Sequence, residues 1–184
     1  MWRSLKVITL AIQFAAPPSM PKATAEQYAK VIQEEAQARD FDPLMLVAMV
    51  HNESRWHRSA YNSVNCVGLG QVCLSNYEYC RNDISNEKCQ AKKQQLYDGV
   101  YNLRVIAASV SDNSAFCRKK TGRSEWRHWL FSHGGYNKPS QNLWCGQKKT
   151  GRDWREVPPP KTIVKIGRYH QQLVSKFAVR KKKK

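Results

Sequence analysis

No apolar run in this 184-residue chain reaches the ~18 residues a membrane-spanning helix needs, which excludes a multi-pass membrane protein. Acidic side chains are scarce: 14 Asp and Glu stand against 31 Lys and Arg, for a formal charge of +17. The shortage is uneven. Residues 1–100 hold 11 basic and 10 acidic side chains, whereas residues 101–184 hold 20 and 4. Such a back half suits an anionic partner. No Cys-x-x-Cys pair and no close Cys/His cluster occurs, and none of the five histidines stands in a ligand spacing with a third group. No metal and no cofactor is therefore expected. There is no internal repeat and no recognisable nucleic-acid module, so no specific nucleic-acid partner is expected either. Hydrophobic residues make up 41% and charged ones 24%, which argues for a packed domain rather than a disordered chain.

The N-terminus has the pattern of an export signal. Arg3 and Lys6 precede a ten-residue apolar stretch, Val7 to Ala16, broken only by Thr9 and Gln13. Ala23-Thr24-Ala25 is a candidate cleavage site, giving residues 1–25 as the signal; a buried N-terminal helix is the alternative. Six cysteines, Cys66, Cys73, Cys80, Cys89, Cys117 and Cys145, agree with an oxidising compartment and read as three disulfides. Their pairing is left open. Together these features predict a periplasmic or extracellular protein.

Most of the chain reads as helix. Thr24 to Gln27 has the spacing of a capping box, followed by Tyr28, Ala29, Ile32 and Ala36 on one face. Asp42-Pro43 is a strong helix start, and Leu44 to Val50 is apolar without a break, the mark of a buried central helix. Residues 57–90 look irregular and cysteine-rich, with a small helix around 74–79. Further helices are expected over 97–110, over 126–132 up to Gly134-Gly135, and from Ile163 to Val179 after the stiff Val157–Pro160 connector. Trp126 and Trp129 fit a core face, while Trp144 and Trp154 lie in polar surroundings.

The chemistry concentrates in His51 to Cys73, HNESRWHRSAYNSVNCVGLGQVC. Glu53 is the only acid between Asp42 and Glu78, delivered at the end of the buried helix and trailed by Trp56. Burial beside apolar side chains disfavours the charged carboxylate and raises its pKa toward what a general acid needs. Gly68-Leu69-Gly70-Gln71 then offers a backbone that a ligand can approach and an amide that donates and accepts.

Glu53-Ser54-x-aromatic, Ser63 ten residues after the glutamate, and Gly68-Leu69-x-Gln71 together resemble the signature of lytic transglycosylases, the SLT-type branch of the lysozyme-like superfamily. The resemblance implies a mainly α, lysozyme-like helical domain over residues 26–145, with a disulfide-rich irregular insertion. A basic C-terminal extension, 146–184, ends in Arg180-Lys181-Lys182-Lys183-Lys184. It also implies cleavage of the β-1,4 bond between N-acetylmuramic acid and N-acetylglucosamine of peptidoglycan glycan strands, leaving 1,6-anhydro ends. In that scheme Glu53 alone acts as acid and then base, unlike the common two-carboxylate glycosidase. Ser54, Gly68, Leu69 and Asn102 would shape the site, with Ser63 and Gln71 lining the sugar cleft. The family's glycine four residues past Asn102 is Ile106 here. Its Tyr-Asn-x-Gly segment has two placements, Tyr136-Asn137 or Ser132-His133 with Gly135, so Tyr136 and His133 are both candidate substrate contacts. A hydrolase, or a non-catalytic wall-binding protein on the same fold, are the alternatives.

Overall fold

The computed structural model describes residues 3–177, leaving the lysine-rich end of the chain outside the described residues. The chain forms two compact units, Met1–Ala107 with Tyr169–Lys184, and Ala108–Arg168.

The first unit opens with α1 (Leu5–Ala15), whose Ser4 cap accepts the Val7 N–H. Its Ile8, Ala11 and Ile12 are fully buried where it packs on α2 (Lys22–Arg39) and α3 (Pro43–Ser54). The apolar N-terminal stretch is thus a helix of this core, and Ala23-Thr24-Ala25 lies inside α2. The capping box at Thr24 is not used. Pro21, with φ fixed at −60°, is the N-cap and its carbonyl takes the Ala25 N–H at 3.1 Å, so the first turn closes before Thr24. Tyr28, Ala29, Ile32 and Ala36 all face inward as the periodicity predicts.

Helix α3 begins as read. Asp42 Oδ1 accepts the Leu44 N–H at 3.1 Å, Pro43 takes the first position, and every residue from Pro43 to Val50 is buried. The second Asp42 oxygen accepts from His170 Nε2 at 2.9 Å. Beyond α3, strands β1 (Cys66–Val67) and β2 (Val72–Cys73) form a small antiparallel hairpin. Cys66 and Cys73 are opposite one another and disulfide-bonded. Two 3-10 turns, Leu74–Asn76 and Glu78–Cys80, lead to α4 (Glu87–Leu96), joined by the Cys80–Cys89 bridge.

Helix α5 (Gly99–Thr121) starts in the first unit, where Asp98 Oδ1 accepts the Tyr101 N–H at 2.7 Å and Leu103, Ile106 and Ala107 are buried. It runs eleven residues past the expected Val110. Ser111 to Ser114 weakens the apolar period, yet nothing breaks the helix until Gly122, at φ +75°.

The second unit holds the rest of α5, α6 (Trp126–His133) and the start of α7 (Lys161–Lys176). It also contains a three-stranded antiparallel sheet of β3 (Leu143–Trp144), β4 (Gln147–Thr150) and β5 (Asp153–Glu156). Sequence periodicity does not disclose this sheet, because Gln-Lys-Lys-Thr and Asp-Trp-Arg-Glu carry almost no apolar alternation. Its turns do the work: Cys145-Gly146 and Gly151-Arg152 are two-residue hairpin loops, with Cys145 at φ 50°, Gly146 at φ 73° and Gly151 at φ 62°. Cys145 is pinned there by its bond to Cys117 and by donating its N–H to Asn137 Oδ1 at 2.7 Å.

The six cysteines therefore form three bridges, and Cys117–Cys145 spans 28 positions against 7 and 9 for the others. Closing the longer loop removes more freedom from the unfolded chain, roughly 3–4 kcal/mol against roughly 2–3 for the short ones. Cys117→Ser/Cys145→Ser should lower the midpoint of chemical denaturation more than either other paired replacement does, as read by circular dichroism.

Candidate active site

Glu53 sits in the last turn of α3, half-buried. Burial pushes its carboxyl above the ordinary glutamate range, and only the Asn52 amide, 3.4 Å from Oε1, acts in the opposite direction. The helix ends abruptly behind it. Arg55 and Trp56 both adopt left-handed backbone, φ 53° and 67°, a conformation that costs on the order of 1–2 kcal/mol per non-glycine residue. Ser54 holds that turn: its Oγ donates to Val50 O at 3.3 Å and accepts the Trp56 N–H at 3.2 Å. Trp56 anchors it, 3% exposed and stacked on Tyr28 with ring centroids 6.3 Å apart. On the preceding turn His51 donates from Nδ1 to Ala15 O at 2.8 Å and stacks on Tyr169 at 4.1 Å. The carboxyl is thus carried on a rigid, locally strained end rather than a fraying one.

The glycine loop is held by one side chain. Asn102, fully buried on α5, donates from Nδ2 to Val67 O at 3.0 Å and to Leu96 O at 2.9 Å, and its Oδ1 accepts the Gly70 N–H at 2.8 Å. Gly68, at φ 78°, has no room for a Cβ, which would overlap the Asn102 amide and the Leu96 carbonyl. Leu69 is fully buried. Gln71, half-buried at φ 48°, folds its Nε2 back onto Gly68 O at 3.0 Å. Ile106 lies directly under Gly70, so a Cβ there would overlap its side chain. The helix is bulky at Ile106, and the loop is glycine where they meet. Gly70→Ala should therefore cost about 1–3 kcal/mol by overpacking, and Ile106→Ala in the same chain should recover part of that loss, a coupling that a double-mutant cycle reads.

Ser63 is exposed in the turn before β1. The residue that shapes this turn is its neighbour Asn62, whose Oδ1 accepts the Val64 and Cys66 N–H groups at 3.0 and 2.9 Å. An asparagine opening such a turn was the available signal. Glu53, Ser54, Ser63, Gly68, Leu69, Gln71 and Asn102 all belong to the first unit.

His133 and Tyr136 belong to the second. His133 Nδ1 lies 3.1 Å from Ser109 Oγ, and burial lowers its pKa. Tyr136 packs edge-on to Phe131 at 5.7 Å. Between β3 and α6, Asn137 bridges the unit, donating to Ser132 Oγ at 3.0 Å while accepting from Cys145. Trp129 is core, 4% exposed, and Trp126 covers Gly167. Trp144 and Trp154 instead carry Lys120 and Lys149 over their rings, at 4.5 and 5.9 Å.

The described residues thus form a mainly α, lysozyme-like domain with three disulfides, a glutamate at the end of its buried helix and a glycine loop clamped by an asparagine. Residues 30–155 match the family model of the transglycosylase SLT domain, and the chain belongs to that family. No curated protein and no solved structure matches it.

The raised carboxyl carries a stability consequence. A group whose folded-state pKa is raised favours folding below its unfolded pKa, and that contribution is lost as pH rises through the folded value. Glu53→Gln should accordingly melt higher than the parent at pH 8, with the gap closing at pH 4, in parallel thermal scans.

Proposed function

We propose that this protein is an exported peptidoglycan lytic transglycosylase in which Glu53 is both acid and base. The observation that carries the reading is a half-buried carboxyl on a strained helix end, which burial raises above the ordinary glutamate range. Glu53 protonates the glycosidic oxygen between N-acetylmuramic acid and N-acetylglucosamine. The substrate's acetamido group stabilises the cationic centre, and the Glu53 carboxylate then takes the proton of the C6 hydroxyl, closing the 1,6-anhydro ring. Ser63 and Gln71 line the sugar cleft in this reading, and Tyr136 and His133 are the two candidates for a further substrate contact. The basic C-terminal half, +16 over residues 101–184, holds the enzyme on anionic wall polymers or a membrane surface, an attraction that salt weakens.

Purified peptidoglycan digested with the folded, oxidised protein tests this by mass spectrometry. Fragments lighter by one water than hydrolysis products establish the lytic reaction. Fragments at the hydrated mass point to a hydrolase, and none to a wall-binding protein.

A further inference from the structure

A cavity of about 570 Å³ opens within the first unit, away from the carboxyl of Glu53, which does not line it. That size suits a ligand of several residues or fewer. Its floor is aromatic, the stacked pair of Tyr28 and Trp56. Thr24 and Gln27 supply neutral donors and acceptors from the first turns of α2. Arg58 and Asp98 bring opposite charges to the lining, which also includes His57.

The arrangement of those two charges is informative. Both act on the Tyr28 hydroxyl, whose pKa burial raises while Arg58 lowers it and Asp98 raises it. Yet among the described residues Arg58 pairs with no carboxylate, and Asp98 pairs with no cation. Asp98 Oδ1 is engaged as the cap of α5 through the Tyr101 N–H, which fixes the carboxylate in place. Two unpaired, opposite charges in the lining of one aromatic cavity, Asp98 held by its cap contact and Arg58 free to swing, leave a gap that a molecule with its own ammonium and carboxylate would bridge. Trp56 adds an indole Nε1 that is buried without a partner. The cavity wall also includes Pro17 and Pro21, so the stiff α1–α2 connection closes one side.

We propose that this cavity binds a short zwitterionic peptide, its carboxylate on Arg58, its ammonium on Asp98 and its side chains over Tyr28 and Trp56. The source of that peptide rests on the function proposed above: peptidoglycan stem peptides carry free carboxylates and, where uncrosslinked, a free amine. The site would then read the peptide decoration of the wall rather than its sugar. Trp56, in its wall, follows Glu53 by three residues across the strained turn.

Calorimetry tests this with full-length Glu53→Gln protein, which removes turnover, and the synthetic stem peptide L-Ala-γ-D-Glu-diaminopimelate-D-Ala. Saturable 1:1 binding is expected, weakened about tenfold by Arg58→Gln and by Asp98→Asn, which keeps the helix cap. Acetylating the free amine or amidating the carboxylates should weaken it similarly. Free alanine and lysine distinguish a peptide site from one for single amino acids, and tighter binding of either would overturn the peptide assignment. No binding by folded protein overturns the site. So does a peptide bound equally well by both variants. Cleavage of peptide-free glycan, measured separately, should be unchanged by Arg58→Gln; absence of any cleavage of whole peptidoglycan by the parent would strike the transglycosylase reading and leave the calorimetric result standing.

Discussion

Glu53→Gln is expected to reduce release of anhydro fragments from purified peptidoglycan by at least about 10³-fold, while the protein keeps its fold. Glutamine fills the same volume and can hold the contact with Asn52, but it neither gives a proton to a leaving oxygen nor takes one from a hydroxyl. A single group serving both steps makes the loss larger than for an enzyme that divides them. The same substitution relieves the cost of burying a carboxylate, so lost activity should coincide with a higher melting temperature at pH 8. That pairing separates a catalytic defect from an unfolded protein, since misfolding would lower both. Activity retained within tenfold would remove Glu53 from the reaction. A second check is the pH profile, whose acid form should persist above the ordinary glutamate range because burial raises the carboxyl.

Asn102→Ala should be the most damaging single change to stability in the first unit, costing about 3–5 kcal/mol. It leaves the Gly70 N–H and the carbonyls of Val67 and Leu96 without the partner they have in a site closed to water. In a chain of this length that corresponds to a fall in melting temperature on the order of 10 °C, measured by differential scanning calorimetry. Asn102→Asp is a sharper test. It preserves shape and the acceptor for Gly70, but sets a carboxylate against two carbonyls that need a donor. Loss comparable to the alanine variant confirms that the donor pair matters; near-native stability for either variant would contradict the clamp.

Much of the site was legible from local rules. Asp42-Pro43 and the unbroken apolar run dictate where α3 starts and that it is buried, so Glu53 had to emerge at its end. Gly68 was readable as a close-approach residue, and the structure supplies the neighbour, the amide of Asn102, 34 positions away. Ser63 matched a spacing and lies exposed in a turn that Asn62 shapes, because the asparagine oxygen reaches the N–H groups of both Val64 and Cys66. The β3–β5 sheet stayed hidden because its strands are short and polar, and because a turn with Cys145 in left-handed backbone depends on a disulfide partner on α5.

The sequence by itself determined the helical class, the buried central helix, the acid at its end and the family signature around it. Each depends on side chains within a few turns of one another, where capping, period and burial act locally. The pairing of the six cysteines, the clamp at Asn102, the packing of α1 into the core and the unpaired charges at Arg58 and Asp98 were decided only by the tertiary structure. These involve residues 6 to 40 positions apart, and which partners meet depends on how the helices pack rather than on any spacing along the chain.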